Sequence, residues 1–144
     1  MRAKFTVQGE PKGKGRPRFS RAGGRSTAYT PAATAEYENR VRFEYHKQCG
    51  NVRFDDAAML DLRVLAYFKI PKSASKKKRR QMIEHNIRPT KKPDMDNVIK
   101  IVADALNNIA YRDDSQIVDT MVRKFYSENP RVEIIIQEVQ NNGK

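Results

Sequence analysis

The sequence predicts an α+β fold: one domain over residues 1–144, with a mixed or antiparallel sheet packed with helices. Three observations predict it. Apolar residues alternate at period two in some stretches, recur at helical spacing in others, and the two kinds of stretch are interleaved along the chain. The expected order is β-loop-α-β-α-α-β-β. A chain of 144 residues, 38% of them apolar, is long enough to bury one moderate core and too short for several.

Ala3 to Gln8 alternates weakly and stops at Gly9, which reads as a short strand. Residues 9–30 follow, rich in Gly, Pro, Lys and Arg, and are expected to form a basic, mobile loop. Thr30-Pro31 then resembles a helix N-cap with proline at the first helical position. Ala33, Tyr37, Val41 and Tyr45 recur every four residues, predicting an amphipathic helix from about Pro31 to Gln48 that Gly50 terminates. Leu60, Leu62, Val64, Ala66 and Phe68 alternate strictly, so a strand runs to Pro71. Ser73 or Ser75 caps a short basic helix behind it. Val98, Ile101, Val102, Ala105, Leu106 and Ile109 form a single apolar stripe at helical spacing, the clearest helix of the chain. Ile117–Tyr126 and Arg131–Val139 read as two strands with Glu-Asn-Pro as the turn. There is no internal repeat.

Charge narrows the function classes. The chain carries 29 Lys plus Arg against 17 Asp plus Glu, a net charge of +12, and its mean hydropathy is −0.81. Small domains rarely carry so large a surplus for solubility, so a polyanionic partner is indicated, nucleic acid or an anionic membrane. No apolar run approaches a spanning helix and no apolar leader opens the chain, so a cytoplasmic protein without a membrane partner is expected. A single cysteine, Cys49, excludes an intrachain disulfide and a multi-cysteine zinc site; it reads as a partly buried thiol.

The acid is concentrated where the chain is otherwise helical. Residues 93–144 hold 9 acidic and 6 basic residues, inside a strongly basic protein. In the run Lys91-Lys-Pro-Asp-Met-Asp-Asn-Val-Ile-Lys100, Pro93 sets the chain direction, Asp94 falls near the N-cap and Asp96 in the first turn. Helix N-termini attract carboxylates, so both could be helix-start residues. The other reading is a metal site: one carboxylate suffices as a cap, a second acidic pair, Asp113-Asp114, follows the helix, and Lys100 lies four residues after Asp96 on the same face. Two or three carboxylates beside a lysine suit a hard cation and a phosphodiester.

Lys-Pro-Asp-Met-Asp-Asn-Val-Ile-Lys, followed by Asp-Ala-Leu-Asn-Asn-Ile-Ala-Tyr-Arg-Asp-Asp-Ser-Gln-Ile, closely resembles the RusA family of Holliday junction resolvases. Gly9-Glu-Pro-Lys-Gly-Lys-Gly-Arg-Pro-Arg-Phe19 and Tyr29-Thr-Pro31 resemble it too, so the resemblance spans roughly residues 5–126. It implies an endodeoxyribonuclease of DNA recombination and repair, dependent on magnesium (with manganese as a substitute), that nicks four-way junction DNA in pairs as a homodimer. It implies that Asp94, Asp96 and Asp114 are the essential carboxylates and metal ligands and that Lys100 is the catalytic lysine. Asp113 is a further metal candidate. The family is common in prophages.

Two basic segments are candidate DNA contacts: Lys12, Lys14, Arg16, Arg18, Arg21 and Arg25 in the loop, and Lys76, Lys77, Lys78, Arg79 and Arg80 on the short helix. Solvated surface charge is the plain alternative for each. Phe19, Tyr29 and Tyr111 could stack on bases, though such aromatics are more often core. His46 and His85 have no ligand-spaced partner, and Asp104, four residues after Lys100, could pair with it. The competing function is a basic nucleic-acid-binding module without catalysis, which accounts for the charge and leaves the acidic residues around one helix unexplained.

Overall fold

The computed structural model describes residues 1–16, 18–20, 22–24, 27–29 and 31–139. The strict alternation seen in the sequence becomes the central strand. In β4 (Leu60–Lys69), Leu60, Leu62, Val64, Ala66 and Phe68 all face the core. Three further strands complete a mixed sheet: β1 (Arg2–Gln8), β5 (Ile117–Ser127) and β6 (Arg131–Glu138), in the order β1-β6-β4-β5. β6 is antiparallel to both β1 and β4, whereas β5 runs parallel to β4.

That parallel pair explains the two helices between β4 and β5, since a parallel return requires a crossover. The last two strands form where the sequence placed them, but they are not neighbours, because β4 lies between them. The short turn at residues 128–130 bridges the gap, within the roughly 10 Å that three residues can span.

Three helices pack on this frame: α1 (Ala32–Cys49), α2 (Lys76–Ile83) and α3 (Met95–Ala105). α1 starts one residue later than the sequence suggested, with Pro31 at the N-cap position. Its buried stripe is Thr34, Tyr37, Glu38, Val41 and Tyr45, and Ala33 is exposed. Thr34 and Glu38 are polar residues on an inward face, and both prove to hold the N-terminal loop. Tyr45 packs edge-on against Phe5 of β1 at 5.3 Å and donates to the Val52 carbonyl. Gln48 acts as a strand partner for β1, accepting from the Thr6 amide at 2.9 Å and donating to its carbonyl at 2.8 Å. Ser75 is the cap of α2, accepting from the Lys78 amide at 3.2 Å.

α3 buries Val98, Ile101, Val102 and Ala105 on one side, and Leu106 at its C-terminal end. Fully burying such side chains contributes about 1.5–3 kcal/mol each, which fixes the rotation of α3 and hence the direction of its polar side. The segment expected to be loop throughout contains a small hairpin, β2 (Arg18–Ser20) with β3 (Thr27–Tyr29). Arg21 and Arg25 lie outside the described residues, as do the Arg18 and Tyr29 side chains.

Candidate active site

The polar side of α3 carries the acidic motif. Asp94 occupies the N-cap with extended backbone (φ −66°, ψ 153°), and its carbonyl accepts the first helical bond from Val98 at 3.0 Å. Its carboxylate makes no capping hydrogen bond. The helix-start reading therefore assigns Asp94 a side-chain task that it does not perform here. Asp96 is exposed in the first turn and, among the described residues, accepts only from its neighbour, the Asn97 amide, at 3.0 Å.

Lys100 follows Asp96 by one turn and Asp104 follows Lys100 by another, so the three form one row along the helix. The Lys100 ammonium is 3.5 Å from Asp104, the pairing that the spacing suggested. Asp114 begins a 3₁₀ turn, Asp114–Gln116, immediately ahead of β5. Its amide donates to Asn107 Oδ1 at 2.7 Å, which seats it just beyond the C-terminal end of α3. Burial raises the Asp114 carboxyl above its usual range, and a hydrogen bond with Asp104 and the charges of Asp104 and Asp113 raise it further against the opposing pull of Lys100. Asp113 is occupied differently. Its carboxylate accepts from the Ser115 amide at 3.0 Å, its own amide donates to Gln116 Oε1 at 3.2 Å to complete a capping box, and hydrogen bonding by the Ser115 side chain and amide holds the carboxyl below the usual range.

The acidic groups thus line α3 in a row. Asp94 and Asp96 stand at its N-terminal end, and Asp104 meets Asp114 near the other. Among the described residues no three Asp, Glu, His or Cys side chains come together closely enough to hold one ion.

Cations gather round the N-terminal end. Lys12, Arg16, Lys92, Asp94 and Asn97 line one open cleft, because the segment from Pro11 to Arg16 lies against the first turn of α3. Lys124, which no motif singles out, also feels Asp94. Burial lowers its ammonium, Lys91 lowers it further and Asp94 opposes both, while the ammonium donates to the Lys91 carbonyl at 2.6 Å.

The expected DNA contacts divide. Lys12 and Arg16 are exposed, as are Lys76, Lys77, Lys78 and Arg80, with Arg79 drawn 3.6 Å from Glu128. Lys14 instead turns inward between Glu38, at 2.7 Å, and Asp104, at 3.3 Å. Of the aromatics, Phe19 is exposed, whereas Tyr111 is core and donates to the Ala103 carbonyl at 2.7 Å. His46 and His85 are exposed, and Cys49 is partly buried with its thiol pushed up by burial. The bridge from Lys14 to Glu38 and Asp104 joins residues 24 and 90 positions apart, and no local spacing signals it.

The model of the family described as "Endodeoxyribonuclease RusA" matches residues 8–137 of the chain. The chain belongs to the RusA endodeoxyribonuclease family. It is also 44% identical over 138 residues to the "Uncharacterized protein YqaN" of Bacillus subtilis (strain 168), across 94% of this chain and 96% of that one. Membership makes this an endodeoxyribonuclease, consistent with a Holliday junction resolvase, and the family's resolvases depend in general on a divalent metal.

The residues of this RusA-family chain fit that requirement chemically. All the candidate donors are hard carboxylate oxygens, Asp94 and Asp96 are exposed, and the Asp94 carboxylate is not spent as a cap. Asp114 is crowded by other acids in a way that a cation would relieve. No helix among the described residues is long and apolar enough to cross a membrane.

Proposed function

We propose that the chain resolves four-way DNA junctions by paired symmetric nicks, acting as a homodimer with magnesium, or manganese in its place. The observation that carries this reading is the uncapped Asp94 carboxylate, set in a cleft with Lys12, Arg16 and Lys92. A helix start built only for stability would use that carboxylate as a cap; a site for phosphate and metal leaves it free.

Asp94 and Asp96 at the N-terminal end of α3, and Asp114 near its other end, would hold the metal at separate points along the helix. When bound, it would supply an activated water and offset charge on the phosphate. Lys100 faces the same row and offers a cation to the scissile phosphate once DNA displaces it from Asp104. Lys12, Arg16 and the exposed cations of α2 grip the backbone without reading sequence. Two nicks placed symmetrically on a junction call for two such sites, and a closed two-fold pair supplies them.

Asp96→Asn tests the assignment. It removes negative charge beside phosphate, so cleavage of a synthetic four-way junction in magnesium should be lost while binding in calcium buffer holds or tightens. Loss of binding instead would make Asp96 structural. A wild-type protein that binds the junction but never cuts it, in magnesium or manganese, would favour the non-catalytic module. Sedimentation at micromolar concentration tests the dimer; paired nicking by a monomer on the junction would refute it.

A further inference from the structure

We propose that Lys14 is a positioning residue: it holds Asp104, and through Asp104 both Asp114 and Lys100, rather than binding DNA phosphate. This rests on the assignment of Asp114 and Lys100 to the active site. The first ground is what its ammonium touches. It lies 2.7 Å from Glu38 of α1 and 3.3 Å from Asp104 of α3. The Lys14 side chain is 18% exposed and the Glu38 side chain 11%, so the bridge is shielded far more than a surface pair. Burial alone would lower the Lys14 ammonium, yet the hydrogen bonds and charges of Glu38 and Asp104 outweigh it and raise it. With two carboxylates on its ammonium, Lys14 has its charge already neutralised, so a phosphate would have to compete with both.

The second ground is the backbone. The Lys14 amide donates to the Asn97 carbonyl at 3.0 Å, and the Gly15 amide to Thr34 Oγ1 at 3.1 Å. The loop is therefore stitched to α3 on one side of Lys14 and to α1 on the other. Gly13 and Gly15 permit it: a Cβ on Gly13 would lie 2.7 Å from that of Pro93, and one on Gly15 would lie 2.6 Å from Thr34 Oγ1.

The third ground is what Asp104 touches. It meets Lys14 and Lys100 with the same carboxylate oxygen, Oδ2, and its negative charge bears on the neighbouring Asp114 carboxyl. Without Lys14, Asp104 keeps one exposed cation, Lys100, whose side chain is 59% exposed. Lys100 would then be held to Asp104 more firmly and be less free to turn to DNA. Asp114 would face an acid whose buried counter-charge had gone. Lys14 thus sets the electrostatics and spacing of both groups without touching substrate.

The test uses the full chain and a synthetic four-way junction. Affinity and its salt slope are measured in calcium buffer, single-turnover cleavage in magnesium, and melting in metal-free buffer. Lys14→Met should leave affinity and salt slope unchanged and slow cleavage by about 100-fold, the scale of a site displaced by about 1 Å. Glu38→Gln removes the other end of the bridge and has no cation to lose, yet should slow cleavage in the same sense. The double variant should be no slower than the worse single one, because both break one contact network. A salt slope reduced by about one phosphate contact in Lys14→Met, with Glu38→Gln cutting normally, would overturn the proposal. If Lys14→Met melts below the assay temperature, Glu38→Gln decides: slowed cleavage at full affinity supports the bridge, and wild-type cleavage refutes it. Asp114→Asn separates the two levels. If it cuts normally, the site assignment fails; if it is inert while Lys14→Met and Glu38→Gln cut normally, only the positioning role fails.

Discussion

The two basic segments look alike as sequence and behave differently in the fold. Residues 76–80 are five consecutive cations on α2, four of them exposed, with Met82 the helix's one buried residue. Residues 11–16 hold three cations, of which one is folded into a buried bridge and two flank a carboxylate on α3. The denser segment is a charged surface; the sparser one is joined to the acidic helix at two points and to α1 at two more. Charge density alone therefore does not distinguish a solvated basic face from a basic segment built into the acidic helix.

The sharpest way to break that distinction is at the glycines. Gly13→Ala forces a methyl into the space of Pro93, and its nearest remaining room is occupied by Asn97 Cβ at 3.1 Å. The loop must withdraw from α3, so single-turnover junction cleavage should fall about 100-fold while affinity falls much less. Equal losses in both would mean that the loop serves only to bind. Neutralising α2 with Lys76→Gln, Lys77→Gln and Lys78→Gln together should do the reverse. Affinity should fall and the slope of log affinity against log salt should flatten by about 2.7, three contacts at 0.9 each. Cleavage at saturating protein should hold. A slope unchanged by the triple change would remove α2 from the DNA-binding surface.

How much of this was legible follows the same division between local and distant signals. β4 and α3 were plain because each buries a regular stripe, Leu60 to Phe68 at period two and Val98 to Leu106 at helical spacing. The acidic positions were legible as a motif. Their surroundings were not. Glu38 lies on the inward side of α1 where a hydrophobic residue is expected, and its partner Lys14 is 24 residues away. The β2-β3 hairpin escaped because three-residue strands are too short to show a period. The parallel pairing of β5 with β4 escaped because a close turn before β6 suggests neighbouring strands, whereas β4 lies between the two.

A smaller effect sharpens the acidic end of α3. Asp114 has its carboxyl raised, so the folded state disfavours its ionised form. The linkage sign is that stability is greatest below the unfolded value, near pH 3.9, and declines as pH rises through the folded value. Asp114→Asn should therefore melt above wild type at pH 7 in metal-free buffer, with the difference closing as pH falls toward 4. An unchanged melting temperature at pH 7 would mean that solvent already screens the crowding, since the residue is only half-buried.

The smallest effect concerns what holds the charged helix in place. α2 has eight residues, one buried side chain and a run of cations beginning at its first position, where the helix dipole opposes them. Ser75 offsets this by accepting from the Lys78 amide at 3.2 Å. Ser75→Ala removes that bond at a cost of about 1 kcal/mol. Because so little of α2 reaches the core, the loss should appear locally, as hydrogen exchange about fivefold faster at residues 79–84, with the global melting temperature nearly unmoved. Junction affinity should change little, because frayed lysines still attract phosphate without a fixed geometry. Cleavage should not change, as α2 carries none of the groups seated on α3. A fall in melting temperature as large as the local effect would show that α2 unfolds only with the whole domain. It would then be as firmly integrated as the loop at residues 11–16, and the contrast between the two basic segments would reduce to their charge alone.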